Sequence, residues 1–85
     1  MYRLFKVKGT SMSPALEDSR FVIGKSVNRF SVSNKDVVID LRKERIKRVY
    51  SIDDKKVHLC GDNNNSSSYI ANLSDISHKI IWPKL

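Results

Sequence analysis

Residues 9–16 read Gly9-Thr10-Ser11-Met12-Ser13-Pro14-Ala15-Leu16. The residues before this stretch, 4–8, alternate apolar with basic side chains, which predicts a β-strand that ends at Gly9. Pro14 suits the first turn of a short helix, because its missing N–H would have no partner there in any case. Ser11 is therefore expected at the point where a strand gives way to a helical turn.

A serine at such a position has two interpretations. The first N–H groups of a helical turn have no internal partner and can stabilise an oxyanion that forms on a reacting carbonyl, which would make Ser11 a nucleophile. Serines also cap turns very often, and Ser11 or Ser13 could do only that. A nucleophilic serine needs a base to take its proton, and the base has to come from elsewhere in the chain.

Size and charge limit the other functions. The 85 residues have room for one domain, 1–85, and a hydrophobic content of 40% is enough for a packed core. The formal net charge of +7 favours anionic partners, among them nucleic acid, an acidic membrane surface or an acidic peptide. The densest basic run, residues 42–48, is typical of a solvated hairpin that keeps a sheet edge from pairing.

The single cysteine, Cys60, excludes an internal disulfide and favours a reducing, cytoplasmic location. Its strand-like surroundings indicate a small buried thiol rather than a nucleophile. His58 and Cys60 are too few ligands for a metal site, so no metal and no cofactor is expected. No apolar run is long enough to span a membrane, which predicts a soluble chain and leaves peripheral membrane association open.

The remaining pattern is one of short strands separated by polar turns. Strands are predicted at 20–25, 36–41, 45–52, 56–60, 69–71 and 78–82. A loop or weak strand is predicted at 26–35, and a loop at 61–68. Many short strands with little helix predict a mainly β fold, a small antiparallel barrel or sandwich-like sheet.

Three side chains are candidate bases for Ser11. Side-chain alternation places Lys47 on the opposite face of its strand from Arg48, and burial of the Lys47 face would favour a neutral amine able to accept a proton. Alternation alone does not identify the buried face, because Arg45 shares it with Lys47. His58 and His78 are the other candidates, although neither has an acidic residue at a spacing that suggests an orienting partner.

Four short segments of the chain resemble, in order, the sequence boxes of the type I signal peptidase family. They are 9–16, Lys35-Asp36-Val37-Val38-Ile39, Arg45-Ile46-Lys47-Arg48-Val49 and Gly61-Asp62-Asn63. In the last box the family reads Gly-Asp-Asn-Arg-Asp-Asn-Ser. Asn64, Asn65 and Ser66 depart from that pattern, and Ser67 returns to register with it.

The resemblance implies a serine endopeptidase with a Ser/Lys dyad on a mostly β, partly closed barrel-like sheet, with one short helical turn after the nucleophile. Ser11 matches the family nucleophile and Lys47 its general base, and the Ser11 N–H would contribute to the oxyanion hole. Gly9 stands where some members carry a hydroxyl group that completes that hole, so Thr10 or a backbone group would substitute. Ser67 would orient Lys47, and Met12, in the first box, would contact substrate.

The membrane anchors and the large insertion of many bacterial members are absent from this sequence. The chain therefore resembles the soluble maturation peptidases that remove the leader of nickel-type superoxide dismutase, and its expected partner is a precursor protein or peptide, with no required nucleic acid. The oligomeric state is left open. A repressor-type peptidase domain shares the chemistry, but the sequence offers no DNA-binding region and no linker to cut.

A function of another class also fits the composition. In this alternative the chain is a basic β module that binds nucleic acid or acidic surfaces, and the Ser11 turn is structural. The side chains that would bind are Arg42, Lys43, Arg45 and Arg48.

Overall fold

The computed structural model describes residues 1–28, 31–63 and 66–85. Within these ranges the secondary structure consists of β-strands and a single 3-10 turn at Leu73–Asp75. The strands are β1 (Tyr2–Lys6), β2 (Phe21–Ser26), β3 (Val37–Asp40), β4 (Arg45–Asp53), β5 (Lys56–Cys60), β6 (Tyr69–Asn72) and β7 (Ile76–Trp82).

The strands form one antiparallel sheet in the order β1-β2-β7-β3-β4-β5-β6. The prediction of a mainly β, antiparallel fold is confirmed. The prediction of partial closure into a barrel is wrong, because the edge strands β1 and β6 do not pair with each other in the described part of the chain. The last strand, β7, lies in the middle of the sheet and joins the β1-β2 hairpin to the meander of β3 to β6.

Several predicted bounds differ from those of the structure. β7 begins at Ile76, two residues before its predicted start, β2, β3, β4 and β6 differ by one residue at one or both ends, and the two elements on either side of Ser11 differ as follows. The first strand ends at Lys6, two residues earlier than expected, although the Val7 N–H still donates to the Arg20 carbonyl at 2.8 Å. The predicted helical turn is a non-helical turn whose one α-type hydrogen bond runs from the Leu16 N–H to the Met12 carbonyl, at 2.9 Å. Within the predicted loop 26–35, Arg29 and Phe30 lie outside the described residues.

The sheet buries side chains on both of its faces, and β3 belongs to both cores because all four of its residues are buried. Val38 faces the first core, whereas Val37 and Ile39 face the second. The other buried members of the first core are Val32, Val49, Val57, Leu59, Ala71, Leu73 and Ile76. Those of the second are Val7, Met12, Leu16, Val22 and Ile80.

The segment between β1 and β2 carries Ser11 and is held to the second core. Gly9 begins it with a φ of +84°, a conformation that glycine adopts without strain, and the Gly9 N–H donates to Asp18 Oδ1 at 2.7 Å. Met12 and Leu16 anchor the middle of the segment, since their side chains are 1% and 0% exposed. Ser11 is thus fixed by its neighbours on both sides.

A buried carboxylate links strands that are not neighbours in the sheet. Asp40, at the end of β3, is 1% exposed and accepts a hydrogen bond of 2.7 Å from the hydroxyl of Tyr69 in β6. It also accepts backbone N–H bonds from Arg42 and Lys43 in the turn to β4. Burial, followed by the bond to Asp40, raises the pKa of Tyr69, so this hydroxyl stays a donor at physiological pH.

Candidate active site

Lys47 occupies an interior position in β4. It pairs with Val38 of β3, its side chain faces the first core together with Val49, and it is only 1% exposed. Arg45 lies on the same face but at the first position of the strand, where it remains exposed. The inward orientation that the sequence left undecided is therefore the one the fold adopts.

Among the residues that the structure describes, the Lys47 amine has no carboxylate partner. Its Nζ donates to the backbone carbonyl of Ser67 at 3.2 Å, and no carboxylate in the described ranges forms an ion pair with it. Burial is the largest cause that lowers the pKa of Lys47, the nearby charge of Arg45 lowers it further, and Cys60 acts in the opposite direction. An amine in this environment loses its proton more readily than a lysine in water does.

Ser11 is held by hydrogen bonds to its backbone. Its carbonyl accepts from the Asn63 N–H at 2.9 Å, and the Thr10 carbonyl accepts from Asn63 Nδ2 at 3.0 Å. The Ser11 N–H, in contrast, has no hydrogen-bond partner among the residues described. This N–H is therefore available to an oxygen atom of a ligand.

Ser11 and Lys47 line the same small cavity, of about 240 Å³. Within the described ranges, no hydrogen bond joins Ser11 Oγ to Lys47 Nζ. Contacts between a nucleophile and its base are often long in a free enzyme and shorten when substrate binds, so the arrangement is compatible with a dyad. The other residues that line this cavity are Thr10, Arg45, Asn63, Ser66 and Ser67.

The loop after β5 is attached to the sheet by an ion pair. The guanidinium of Arg48 contacts both carboxylate oxygens of Asp62, at 2.8 and 2.9 Å, and also donates to the Lys35 carbonyl at 2.8 Å. The bond to Asp62 raises the pKa of Arg48, which stays charged. Because the same loop supplies Asn63 to the Ser11 turn and Ser67 to Lys47, this ion pair supports both halves of the candidate site.

Gly61 lets this loop approach the Ser11 turn closely. A Cβ atom at this position would overlap the Ser11 carbonyl and the side chain of Ser66. Ser66 closes the turn, since both its N–H and its hydroxyl donate to the Asn63 carbonyl, at 3.0 and 2.8 Å. A glycine at 61 is thus a steric requirement of the site.

The remaining predicted site residues are placed as follows. Thr10 lines the cavity, and Ser67 contacts Lys47 through its carbonyl. Met12 belongs to the second core and lines neither this cavity nor the larger one beside it, so its substrate-binding role stays a prediction without structural support. Asn64 and Asn65, which depart from the family pattern, lie outside the described residues.

The two histidines do not reach this cavity. His58 is exposed on the outer side of β5, with its Nδ1 3.2 Å from Ser51 Oγ. His78 packs edge-on against the Phe5 ring, and burial together with the charge of Arg3 lowers its pKa. Cys60 is partly buried beside the Arg48 carbonyl. No group of potential metal ligands is found among the described residues.

The basic run is less uniform than its sequence indicates. Arg42, Lys43 and Arg45 are exposed, whereas Arg48 is withdrawn into the ion pair with Asp62. The roles of Arg48 and Asp62 were not recognised from the sequence, where Arg48 counted as part of a binding patch. The available signal was the opposite orientation of Arg48 and Lys47 in one strand, which implies different surroundings for the two cations.

Comparison with protein-family models, curated proteins and solved structures finds no match for this chain. In the portion that the structure describes, no helix has the length and apolar character needed to cross a membrane.

Proposed function

We propose that this protein is a serine endopeptidase in which Ser11 is the nucleophile and Lys47 the general base. One observation carries the proposal: the Lys47 amine is buried, has a lowered pKa and shares a cavity with the Ser11 hydroxyl. A lysine in a protein interior normally has a carboxylate partner, because an isolated buried charge is very costly. A neutral amine beside a hydroxyl group is, in contrast, what a Ser/Lys dyad needs.

In the first step the neutral Nζ of Lys47 takes the proton from Ser11 Oγ, and Oγ attacks the carbonyl carbon of the scissile peptide bond. The bond to the Ser67 carbonyl uses a donor of the amine and leaves its lone pair free to accept this proton. The negative charge that develops on the carbonyl oxygen is stabilised by the Ser11 N–H. Return of the proton to the leaving nitrogen breaks the peptide bond and leaves an acyl-enzyme.

In the second step a water molecule replaces the leaving amine. Lys47, neutral again, accepts a proton from this water as the water oxygen attacks the acyl carbon of the Ser11 ester. When the bond from Ser11 Oγ to that carbon breaks, Lys47 returns the proton to Oγ, and the second half of the substrate leaves as an acid that ionises to a carboxylate. Serine and lysine are thereby regenerated, so no other reactant is consumed.

The substrate under this proposal is the N-terminal leader or signal segment of a precursor protein. Support for it comes from the order of the four sequence boxes, which place Ser11, Lys47 and Ser67 at matching positions of the type I signal peptidase family. A precursor of nickel-type superoxide dismutase is the first substrate to test.

The test compares each proposed catalytic residue with a residue of the same type that lines neither cavity. Ser11→Ala and Lys47→Ala should each reduce cleavage of the precursor by about a thousandfold or more, as is usual when one member of a catalytic unit is removed. Ser13→Ala and Lys55→Ala are the controls and should cleave normally. Cleavage by the native chain should rise with pH through the lowered pKa of Lys47, that is, below its ordinary value of 10.5.

A fluorophosphonate probe gives a second readout, since it reacts with an activated serine without needing the right peptide. Mass spectrometry should locate the adduct on Ser11 in the native chain and find none in Lys47→Ala. Cleavage that survives both Ser11→Ala and Lys47→Ala, with circular dichroism showing folded proteins, would exclude the dyad.

A further inference from the structure

A second cavity, of about 550 Å³, begins at Ser11 and Lys47 and extends away from them between β1 and the β3-β4 hairpin. Phe5 and Lys6 both line it, although side chains of consecutive strand residues point to opposite faces. The cavity therefore runs along the edge of β1. That edge is unpaired in the described part of the chain, because β1 is the outermost strand and pairs only with β2.

The charged side chains around this cavity are mostly cationic. Arg3, Lys6, Lys8 and Arg45 line it together with a single carboxylate, Glu44. All four cations are exposed, and none forms an ion pair with a described residue. This cavity therefore concentrates positive charge that the folded chain does not neutralise.

The floor of the cavity is apolar. Phe5 and Ile46 are partly buried there, and Ile39 is a member of the second core. The Arg3 guanidinium lies 5.1 Å from the centre of the Phe5 ring, which positions that cation above the floor. An apolar floor below charged walls accommodates a chain with both apolar and anionic side chains, and the volume is within the range of binding sites for small ligands and short peptides.

We propose that this cavity binds an extended acidic peptide segment, paired to the free edge of β1, with Asp or Glu side chains facing Arg3, Lys6, Lys8 and Arg45. The proposal rests on the proposed function, since it defines the substrate class of the same site. An edge strand offers backbone N–H and C=O groups to an extended peptide, and the side chains around it then select among peptides. Single-stranded nucleic acid would leave those backbone groups of β1 unused.

The segment from Arg3 to Lys8, of which Arg3 to Lys6 lies in β1, covers at most about 17 Å at about 3.3 Å per residue, which corresponds to about five residues of an extended peptide. The acidic residues of a substrate are therefore expected within about five residues of the bond that Ser11 attacks.

The test uses three ten-residue peptides that share a central Ala-Ala-Ala-Ala and carry three Asp, three Ser or three Lys residues at each end. Binding to the Ser11→Ala variant is measured by fluorescence anisotropy, and cleavage is measured with the native chain. The Asp peptide should bind at least about tenfold more tightly than the Lys peptide in low salt. The difference should shrink as salt rises from 20 to 500 mM, because exposed charges are screened.

Two double variants with the same net charge localise the effect. Arg3→Glu with Lys6→Glu, made in the Ser11→Ala background, should abolish the preference for the Asp peptide. Lys55→Glu with Lys84→Glu changes cations that do not line the cavity and should keep it. If both double variants weaken binding equally, the preference comes from overall charge, and the proposed site is overturned.

The outcomes separate this inference from the proposed function. If all three peptides bind equally and are cleaved at equal kcat/KM, the acidic-peptide site is overturned and the peptidase function stands. If the Asp peptide binds selectively in the cavity and no peptide is cleaved, the site stands and the peptidase function fails. If a ten-nucleotide single-stranded DNA binds more tightly than the Asp peptide and loses affinity in Arg3→Glu with Lys6→Glu, the site belongs to nucleic acid and the proposal is overturned.

Discussion

At the scale of single residues, Lys47 combines two opposing requirements. A position between Val38 and Val49 favours an apolar side chain, and an amine there loses hydration that one carbonyl bond replaces only in part. If Lys47 serves as the base, this loss of hydration also provides the unprotonated amine. Stability and activity are then in conflict at this one position.

Replacing Lys47 with methionine tests that conflict. Lys47→Met should raise the free energy of unfolding at pH 7 by about 1 kcal/mol. Methionine has a similar length, fits the core and has no ionisable group whose burial costs free energy. Urea unfolding followed by circular dichroism measures the change. Lys55→Met, at an exposed turn, is the control and should change it by less than about 0.5 kcal/mol.

Lys47→Met should also change how the free energy of unfolding depends on pH. The pKa of Lys47 is lowered in the folded chain, so between that lowered pKa and 10.5 the unfolded chain binds more protons. The free energy of unfolding of the native chain should therefore rise as the pH increases through this window, and this gain should be lost as the pH falls through it. Lys47→Met should lack that rise. An unchanged pH profile in the variant would show that burial of the amine has no effect on its protonation.

The sequence identified Lys47 as a candidate base, but it did not indicate the ion pair that Arg48 forms. Alternation separates the two residues onto opposite faces, but the buried face became evident only from the pairing of β4 with β3 and β5. The partner of Arg48 lies fourteen positions away, at Asp62. An ion pair between a strand and a distant loop leaves no periodic pattern in a sequence, so composition alone assigned Arg48 to the surface patch.

At the scale of elements, the described residues that follow β5, 61–63 and 66–67, contact both halves of the candidate site. Arg48 holds this loop through Asp62, Asn63 binds the Ser11 turn, and the Ser67 carbonyl contacts Lys47. The loop is thus the element through which Ser11 and Lys47 are kept in register.

Removing the ion pair should therefore affect activity more than an ordinary surface pair would. Arg48→Met should lower stability by about 2 kcal/mol, because it leaves a partly buried Asp62 without its charged partner. Lys79→Met is the control: its pair with Asp36 is longer, at 3.7 Å, and more exposed, so a loss of about 0.5 kcal/mol is expected.

Urea unfolding measures both losses, and cleavage of the precursor should fall in Arg48→Met at a temperature where the variant is fully folded. Equal cleavage by the two variants would show that the loop keeps its position without Arg48.

Most strands were predictable from local pattern, and their order in the sheet was not. The strand β5 has the predicted bounds, and β4 ends one residue later than expected. The predicted first strand extends too far because Val7 and Lys8 continue the alternation, whereas the pairing of β1 with β2 ends at Lys6 and Phe21. The central place of β7 depends on contacts with β2 and β3, which lie far from it in the chain.

At the scale of the whole molecule, β3 makes the two cores interdependent. Consecutive residues of β3 contribute to opposite cores. If β3 is released when one core unfolds, the other core loses the buried side chains that β3 supplies to it. Short strands with alternating residues are compatible with a closed barrel or an open sheet, and the choice depends on whether β1 meets β6. Whether β1 pairs with β6 cannot be predicted from the local sequence pattern of either strand. The prediction of partial closure therefore had no support from the residues themselves.

Interdependent cores should unfold together. Leu59→Ala in the first core and Leu16→Ala in the second should each lower stability by about 3 kcal/mol, since both side chains are 0% exposed. Urea transitions followed by far-ultraviolet circular dichroism and by the fluorescence of Trp82, the single tryptophan, should coincide in both variants.

The exposed Leu4 provides the control, and Leu4→Ala should shift neither transition appreciably. If Leu59→Ala shifts the dichroism transition and leaves the Trp82 transition in place, the two cores unfold separately.

The free edge of β1 has a consequence for how such a protein could diversify. Under the two proposals, the side chains of residues 3–8 bind the substrate, and those of Ser11 and Lys47 cleave it. Mutations in residues 3–8 could therefore change substrate specificity without changing the catalytic residues. Four residues, 7–10, join β1 to Ser11 along the chain. An exchange of this outer strand between related chains is therefore a direct route to new specificities.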